Sequence, residues 1–402
     1  MSLRSRLFDA LKSVDALVGR PAAARLGGPR RPQPAAPRDA LLLRLWGLGN
    51  LTLLAPHLAA APAGARVRLL TLERNADFVA SQLPRVECLT LPDPVSPRLL
   101  PALWSRLASL ADDPPEVVVD LEQFLRLPLL AVRARCPAPT VGLDTPGQGR
   151  RPLLDRAVAH DPTRHVADTF AALLDAAGLP TAAGAGPLAP DADRLPADLP
   201  AGPGPLVVLH PGTGDHFPGR RWPAERFGAL ARELRRRVGA RLVLTGTAGE
   251  ARLVERVRRA AGDPALDLSG RLDATALVSL LDHADLLVTN DTGPLHLADA
   301  VGTRAVALYG PNTPHRYGPR HPGSRALFAD LPCSPCLDDR SMKRSRCTHF
   351  ACMLELPVED VARACLEVLA AARGAAASDV RSTAPTTTPP ASPASASHAL
   401  PR

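Results

Sequence analysis

The chain has 402 residues, of which 48 are Lys or Arg and 40 are Asp or Glu, so its formal net charge is +8 and its length allows two domains with tails. The basic balance favours an anionic partner such as a sugar nucleotide, an acidic glycolipid or a membrane surface. Only 3% of the residues are aromatic and no basic tract has interleaved aromatic residues, which argues against nucleic acid as a partner.

Residues 1–38 are predicted to form an N-terminal amphipathic helix and a linker. Within residues 2–20, five apolar residues recur at helical spacing: Leu3, Leu7, Leu11, Val14 and Val18. A basic amphipathic helix can lie on an anionic membrane surface, and the same pattern can equally pack on the protein's own domain. Residues 21–38 are rich in Pro, Ala and Arg, which predicts a flexible linker.

The sequence shows no membrane span and no secretory signal. No window approaches the roughly 20 consecutive apolar residues that a spanning helix requires. Charged residues interrupt the first apolar positions, where a signal peptide would need a continuous apolar run. We therefore expect a cytoplasmic protein, for which residues 2–20 are the candidate for any peripheral membrane contact.

The first predicted domain, residues 39–180, begins with a strand that runs into Trp46-Gly-Leu-Gly-Asn50 and then a helix. The two glycines permit a tight turn, although G-x-G alone is a weak signal. Asp120 and Asp144 each end a later apolar run that reads as a strand. Ligands of open α/β sheets bind beyond the carboxyl ends of the strands, so both carboxylates are expected near the crevice.

Residues 181–205, rich in Ala, Pro, Gly and Asp, are predicted to link the first domain to a second one at residues 206–356. That domain begins with a strand followed by His210-Pro-Gly-Thr-Gly214. The Thr213 hydroxyl and the amides beside it, including that of Gly214, can cradle a phosphate.

Two adjacent arginines follow this turn. Arg220 or Arg221 can donate two parallel hydrogen bonds to a phosphate, and the alternative is a solvated surface pair.

The most informative stretch is an apolar run that stops at Asn290-Asp291-Thr292-Gly293-Pro294 and continues as a helical pattern. The amides of Thr292 and Gly293 lie where the helix begins, so they can donate to a phosphate with help from the helix dipole. His296, on the first turn, can point into the same crevice. Asp291 can cap the helix, or it can orient His296 or the backbone of the motif.

Strands alternate with helices of about 10–15 residues through both domains, a pattern typical of parallel sheets with covered faces. After the second domain, residues 357–373 are predicted to form a helix. The remaining residues, 374–402, are rich in Ala, Ser, Thr and Pro and are predicted to be disordered.

Four cysteines fall within residues 333–352: Cys333, Cys336, Cys347 and Cys352. The first pair has the C-x-x-C spacing of zinc ligands, so a structural zinc held by four thiolates is one interpretation. The other is a set of reduced cysteines in a cytosolic loop, where disulfides are disfavoured.

Several motifs together resemble glycosyltransferase family 9, the heptosyltransferases that build bacterial lipopolysaccharide cores. D-T-G-x-x-H-x-A-x-A from Asp291, followed by Y-G-P-x-T-P-x-x-x-G-P from Tyr309, resembles the donor-site signature of the family. H-P-G-T from His210, followed by a basic residue and W-P-x-E-x-F from Trp222, resembles its second signature. In weaker form the resemblance extends over residues 41–369.

The resemblance implies an α/β, GT-B-like fold, in which two Rossmann-like domains with parallel sheets face a central cleft. It implies inverting transfer of a heptose-like sugar from ADP-heptose to a lipopolysaccharide-core or related glycan acceptor at the inner membrane. No DxD-like metal site is recognisable, and no cofactor is expected to be required for catalysis. The donor-binding residues that it implies are Thr213, Gly214, Arg220, Arg221, Asp291, Thr292, Gly293 and His296.

The chain departs from the family where the proposed catalytic base would stand. The family has G-x-G-D at the start of the first helix, whereas this chain has Asn50 in the last position. A neutral amide cannot take a proton from an acceptor hydroxyl. Asp120, in a segment that resembles the D-x-Q of the family, is the first substitute, Asp144 the second and Asp291 a further candidate.

The departure at Asn50 keeps a second function open. A non-catalytic sugar-nucleotide or glycan-binding relative would retain the donor motif and dispense with the base. A GT-B epimerase would need a set of carboxylates and histidines that this sequence does not offer.

Overall fold

The computed structural model describes residues 3–93, 96–182, 184, 186, 188–214, 218–262 and 265–382. Its centre is two six-stranded sheets in which the neighbouring strands are parallel. The strands of the first sheet are β1 Asp39–Leu43, β2 Arg66–Leu72, β3 Val86–Leu91, β4 Val117–Asp120, β5 Thr140–Asp144 and β6 Arg156–Ala159. Those of the second are β7 Leu206–His210, β8 Arg241–Leu244, β9 Leu266–Asp267, β10 Leu286–Asn290, β11 Ala305–Tyr309 and β12 Arg325–Phe328.

Both sheets have the same strand order. The first runs β3-β2-β1-β4-β5-β6, and the second runs β9-β8-β7-β10-β11-β12 when taken in the matching direction. This is the doubly wound order of Rossmann-like domains, in which ligands bind where the order reverses, beyond the ends of the first and fourth strands. The predicted α/β class with two Rossmann-like halves is confirmed. We call the parts that carry the two sheets the first half and the second half.

Helices cover both faces of the sheets, which is why the strands are almost continuously apolar and buried. The longer helices are α1 Leu3–Leu26, α2 Leu48–Ala59, α3 Ala76–Gln82, α4 Leu99–Asp112, α5 Leu127–Arg135, α6 Val166–Ala176, α7 Ala224–Val238, α8 Ala251–Ala261, α9 Ala274–His283 and α10 Gly293–Val301. The chain then forms α11 Pro314–Tyr317, α12 Ala351–Leu354 and α13 Val358–Ser382. No helix in the described part of the chain is both long and apolar enough to cross a membrane.

The N-terminal helix is longer than the sequence predicted and packs on the first half. It continues through Pro21 to Leu26, because the alanines after Pro21 favour a helix and Ala23 is buried in an apolar cluster of the first half. Asp15 is buried and accepts hydrogen bonds of 2.8 Å from the backbone N–H groups of Arg126 and Leu127. Packing on the protein's own domain is therefore established for this face of α1.

The expectation of a flexible linker over residues 21–38 is wrong for the same region. Beyond α1, the backbone N–H of Arg31 donates to Asp155 Oδ1 at 2.9 Å. The Arg31 guanidinium donates to the carbonyl oxygens of Cys136 at 2.8 Å and Ala138 at 2.9 Å. These bonds fix the segment to the first half, and a composition rich in Pro and Ala does not reveal them.

The C-terminal helix also extends further than predicted. It continues past Arg373 to Ser382, through an alanine-rich stretch that the sequence assigned to a disordered tail. Alanine has the highest intrinsic helix propensity, which accounts for the extension. Residues 383–402, the rest of the predicted tail, lie outside the described part of the chain.

Candidate functional site

The two motif turns of the second half meet where its strand order reverses. Strands β7 and β10 are neighbours, with Thr289 opposite His210. Asn290, at the end of β10, joins the turns, because its amide nitrogen donates to the Pro211 carbonyl at 2.8 Å and its oxygen accepts from the Trp222 backbone N–H at 2.9 Å. Sequence reasoning gave Asn290 no role. The structure shows that it holds the turn after β7, the arginine segment and the donor motif together.

Asp291 is buried and engages two side chains of the same half. Arg220 Nη1 donates to the Asp291 carbonyl oxygen at 2.8 Å and to its Oδ2 at 3.2 Å, while Nη2 donates to the Thr213 carbonyl oxygen at 3.1 Å. Asn312 Nδ2 donates to the same Oδ2 at 2.9 Å. The N-cap position of α10 belongs to Thr292, so Asp291 acts mainly to hold Arg220 at the start of this helix.

The amides predicted to cradle a phosphate after β7 are occupied by a carboxylate. The backbone N–H groups of Thr213 and Gly214 both donate to Glu250 Oε1 at 2.9 Å. Arg221 lies against the same turn, with Nε 3.2 Å from Thr213 Oγ1 and Nη2 2.9 Å from the Gly214 carbonyl oxygen. Thr213, Gly214 and Arg221 therefore lie together, with Glu250 in the place where a ligand oxygen was expected.

Glu250 was missed by the sequence analysis, although a local signal exists. Thr247 and Glu250 form a reciprocal capping box at the start of a short 3-10 turn before α8. Burial works to raise the pKa of Glu250, but hydrogen bonds from Thr247 and Gly214 and the nearby His210 outweigh burial, so the pKa is lowered. The carboxylate is therefore charged at neutral pH beside Arg221, whose Nη2 lies 3.5 Å away.

His296 lies on the first turn of α10, with only 6% of its surface exposed. Burial, with a smaller contribution from His165, lowers the pKa of His296 to about 4, so the imidazole is neutral at pH 7. Its Nδ1 is buried and has no hydrogen-bond partner among the described residues. A neutral imidazole can donate one hydrogen bond to a ligand or accept one from it, depending on which nitrogen carries the proton.

The starts of α2 and α10 meet across the cleft. A Cβ atom on Gly49 would lie 2.7 Å from His296 Cδ2 and 2.9 Å from Gly293 Cα. Both distances are shorter than real Cβ contacts, so glycine is required at this approach. The Gly-rich turn of the first half thus touches the donor motif of the second. This close approach explains why the second glycine of the G-x-G sequence is needed.

A cavity of about 230 Å³ lies beside this contact. It is lined by α2, α6 and α10, by described residues of the segment between the halves, and by Arg320. His57 and His296 contribute from the two halves, and Asp168 accepts a hydrogen bond of 2.7 Å from Arg320 at its edge. The site therefore has room for a ligand group next to His296.

Asn50 lies on the first turn of α2, one residue beyond Gly49, and is partly exposed. Its backbone N–H donates to the Gly47 carbonyl oxygen at 3.0 Å. Its amide nitrogen would be 2.7 Å from a Cβ atom on Gly47, so the side chain lies back against the turn. The position implied for the base is thus close to the donor motif and holds a neutral amide.

Asp120 is at the carboxyl end of β4 as expected, but it lies beneath the surface of the cleft. Its carboxylate is completely buried, pairs with Arg150 and accepts a hydrogen bond of 2.9 Å from the Glu122 backbone N–H. Burial raises the pKa of Asp120 to about 6, against the opposing effect of Arg150. An acceptor hydroxyl cannot reach this carboxylate in this arrangement, so the structure speaks against Asp120 as the base. Asp144, at the end of β5, is partly exposed.

The four cysteines of residues 333–352 form no disulfide. Cys333 is exposed and Cys352 is buried, while Cys336 and Cys347 accept hydrogen bonds from the Ser345 hydroxyl at 3.1 Å and from a backbone N–H at 3.3 Å. Within the described ranges, no three His, Cys, Asp or Glu side chains are placed to hold a metal ion. The structural zinc held by four thiolates, and the alternative of reduced cysteines in a loop, both stay predictions.

Comparison with known proteins gives a consistent family assignment. The family model "Glycosyltransferase family 9 (heptosyltransferase)" matches residues 116–345, more than half of the chain. Lipopolysaccharide heptosyltransferase 1 of Pseudomonas aeruginosa is 29% identical over 234 residues, which cover 55% of this chain and 62% of that protein. Lipooligosaccharide heptosyltransferase 2 of Haemophilus influenzae is 32% identical over 114 residues, which cover 27% of this chain and 32% of that protein. The matches thus span less than two thirds of these relatives.

Solved structures show the same fold over most of the chain. A family 9 glycosyl transferase from Veillonella parvula superposes with a TM-score of 0.65 at 21% identity, covering 84% of this chain and 99% of that one. ADP-heptose lipopolysaccharide heptosyltransferase II of E. coli superposes with a TM-score of 0.63 at 18% identity, covering 83% and 99%. At these identities the likeness shows the architecture, which is that of the GT-B-like heptosyltransferases.

Proposed function

The chain belongs to glycosyltransferase family 9, and from that premise we propose that it transfers a heptose-like sugar from ADP-heptose to a lipopolysaccharide-core or related glycan acceptor. The observation that carries the proposal is the cluster of Arg220, Asp291 and Asn312 at the N-terminus of α10. A positive side chain and the free N–H groups of a helix start are a suitable site for a diphosphate.

The proposed reaction is a direct displacement with inversion at the anomeric carbon. An acceptor hydroxyl attacks that carbon, the bond to the diphosphate oxygen breaks, and the nucleoside diphosphate leaves. Negative charge grows on the diphosphate, so donors that are already in place stabilise the transition state. Arg220 is such a donor, because Asp291 and the Thr213 carbonyl oxygen hold it while about a fifth of its side chain stays exposed.

In this proposal the protein supplies the positive charge itself, so the reaction needs no metal ion. Arg220 and Arg221 both donate hydrogen bonds to Thr213. The dipole of α10 adds partial positive charge at Gly293. His296 contributes a hydrogen bond from a neutral ring, so it adds no positive charge that would hold back the nucleoside diphosphate when it leaves.

A second function is favoured by the missing base. Asn50 cannot take the acceptor proton, and Asp120 is buried beneath the cleft and paired with Arg150. A family member that binds the sugar nucleotide or a glycan without transferring the sugar would show this combination. The two functions share the donor site and differ only in turnover.

A nucleotide titration tests the donor site of both functions. Thermal unfolding is followed with ADP, UDP, GDP and CDP, since a ligand at 100 times its dissociation constant stabilises by about 2.7 kcal/mol. We expect a shift with ADP that weakens in His296→Ala. His283→Ala, which changes an exposed histidine at the end of α9, serves as the control. A shift with UDP or GDP alone would overturn the ADP-heptose assignment, and no shift at all would overturn the donor site.

We also propose that α1 places the protein on a membrane surface, where glycolipid acceptors reside. Beside the buried Asp15, α1 exposes Val14 by 51%, Leu17 by 78% and Val18 by 44%. On α4, Trp104 is 61% exposed, and its ring lies 3.9 Å from the Arg135 guanidinium of α5. Helices α1, α4 and α5 cover the same face of the first sheet, so apolar and basic groups share one outer surface.

A further inference from the structure

The segment between Cys336 and Cys347 joins the two halves, and the donor motif does not account for it. We call residues 337–346 the strap. Its root is fixed to the second half, because the backbone N–H groups of Cys336 and Leu337 both donate to the Pro311 carbonyl oxygen, at 2.9 and 2.8 Å. Ser334 adds a hydrogen bond to the Gly310 carbonyl oxygen. The strap therefore starts beside the end of β11, close to the donor site.

The strap then reaches the first half at two places. Gln148 Nε2 donates to the carbonyl oxygens of Asp339 at 3.3 Å and Arg340 at 2.8 Å. Arg344 Nη2 donates to the Asp9 carbonyl oxygen and to Ser13 Oγ on α1, both at 2.9 Å. The strap is thus fastened to both sides of the cleft.

Asp339 is the centre of this connection and is only 3% exposed. From the first half, His160 Nε2 lies 3.1 Å from its Oδ2. The Gln123 side-chain amide, oriented with its nitrogen towards Asp339, donates to the two carboxylate oxygens at 3.0 and 3.2 Å. From the second half, Arg316 Nη2 donates at 2.6 Å, and Lys343 Nζ lies 3.6 Å away. One buried carboxylate therefore binds side chains of both halves at once.

The charge of Asp339 is needed where it lies. Burial by itself would raise its pKa, but Lys343, His160 and Arg316 together hold the pKa well below its usual range. Removing the charge would leave these donors buried without a matching acceptor, which is costly. Arg316 also donates to the Asp161 carbonyl oxygen of the first half at 2.8 Å. The ion pair between Arg316 and Asp339 therefore also helps to hold Arg316 across the cleft.

We propose that Asp339 is a positioning residue, whose carboxylate fixes the alignment of the two halves during sugar transfer. The inference rests on the proposed function, in which the donor binds the second half and the acceptor the first. The reacting atoms must approach to about 3–3.5 Å, and a misplacement of about 1 Å can cost a factor of about 100 in rate. Arg220, Asp291 and His296 make no hydrogen bond or ion pair to Asp339 within the described residues, so we expect donor affinity to depend little on Asp339.

The first test compares Asp339→Asn with Asp338→Asn, which makes the same change of charge at the adjacent, exposed residue. For Asp339→Asn we expect kcat to fall about 10- to 100-fold. The Kd for ADP should stay within about twofold of wild type, because donor binding needs only the second half. Asp338→Asn should leave both constants near those of wild type. Equal kcat values for the two variants, or a loss of ADP affinity in step with kcat, would overturn the proposal.

A second variant guards against a simple folding defect. His160→Gln alters the partner on the first half and leaves the strap intact. If the two residues act through one contact, the transfer rate of the double variant should lie within about twofold of the rate of the slower single variant. Rate losses that multiply would show that Asp339 and His160 act separately, which contradicts the proposal.

Hydrogen–deuterium exchange provides a readout that does not depend on turnover. The strap amides of Met342 and Lys343 are hydrogen-bonded to the carbonyl oxygens of Asp339 and Asp338. In Asp339→Asn, exchange should rise in the strap and in residues 160–164 but not in β7 or β10. Unchanged exchange in residues 160–164 would overturn the link between the halves. If wild-type protein binds ADP but transfers no sugar, the proposed function fails, and the exchange result still decides whether Asp339 connects the halves.

Discussion

Gly49 and His296, from opposite halves of the molecule, approach so closely that a Cβ atom on Gly49 would lie 2.7 Å from the imidazole Cδ2. The glycine turn that begins α2 therefore packs directly on the first turn of α10. Asn50 follows immediately, so the position that the family gives to its base lies beside the donor motif. This contact places the chemistry of the two halves within reach of each other.

Gly49→Ala is expected to separate the halves. The new methyl group would collide with His296 and with the Gly293 backbone, which cannot move as freely as a side-chain end. The collision should lower the free energy of unfolding by about 1–3 kcal/mol, and the helix propensity of alanine offsets roughly 1 kcal/mol of that loss. We expect the transfer rate to fall by more than this loss of stability accounts for. Urea unfolding and initial rates measure both. Gly28→Ala, at a glycine where an added Cβ atom would meet no other atom within 4 Å, should change neither.

Asn50→Asp is expected to increase sugar transfer. The substitution puts a carboxylate beside the donor motif, and a well-placed general base is worth about 10²–10⁴-fold. Transfer rates of Asn50→Asp and Asn50→Ala are compared with wild type under saturating donor. A fast wild type that Asn50→Asp slows would show that the proton leaves by another route. No transfer by any of the three would favour the non-catalytic function.

The buried histidine of the donor motif should give stability a defined dependence on pH. The pKa of His296 is lowered to about 4 in the folded state, against about 6.5 in an unfolded chain. Between these values the unfolded state binds the extra proton, so stability is present above pH 6.5 and is lost as the pH falls towards 4. The loss is on the order of 3 kcal/mol and should be absent in His296→Gln.

Denaturant unfolding at several pH values between 4 and 7 makes this measurement. The difference between wild type and His296→Gln isolates the one group, because the other titrating residues are common to both. His283→Gln, at an exposed histidine, should follow wild type. Parallel curves for wild type and His296→Gln would contradict a strongly lowered pKa.

Glu250→Ala should loosen the turn after β7. The amides of Thr213 and Gly214 would lose their shared acceptor, at a cost of about 1–3 kcal/mol for each buried group left unsatisfied. Arg221 would also lose its nearby carboxylate, so we expect weaker ADP binding together with lower stability. Glu255→Ala, which removes a carboxylate paired with arginines of its own helix, is the control. Tighter ADP binding in Glu250→Ala would show instead that the carboxylate competes with the ligand for these amides.

The exposed face of α1 should govern binding to lipid vesicles. Replacing Val14, Leu17 and Val18 by Ser removes apolar groups whose insertion is worth about 0.8 kcal/mol per buried CH₂. Co-sedimentation with vesicles that contain phosphatidylglycerol should weaken by at least about tenfold. Leu354→Ser, at an exposed leucine of the second half, should bind as wild type does. Equal binding to phosphatidylcholine vesicles would argue against a contribution from the basic residues.

Much of the fold was predictable because its signals are local. Continuous apolar runs predict buried parallel strands, and the turns at the ends of β7 and β10 carry the polar residues of the site. The extensions of α1 and α13 were missed for a local reason too, since Pro21 and a composition rich in alanine suggested linker and tail. The burial of Ala23 in an apolar cluster of the first half, which stabilises the longer helix, is not a local property.

The candidate site was predictable in its donor half and much less so elsewhere. Arg220 and Asp291 lie together as the motifs implied, because both flank strands that are neighbours in the sheet. Asp120 was expected in the crevice from its place at a strand end. In the structure Asp120 is buried and pairs with Arg150, which is 30 positions away in the chain. The spacing of apolar residues does not predict a pair so far apart.

The sequence by itself determined the alternation of strands with helices and the residues that stand at the carboxyl ends of β7 and β10. Those properties follow from hydrophobic periodicity and from turn residues that act over a few positions. Only the tertiary structure decided which polar groups meet: Glu250 with the Thr213 turn, Gly49 with His296, and Asp339 with His160. Such contacts join residues far apart in the chain, and they are selected by packing and by the cost of leaving a buried polar group without a partner.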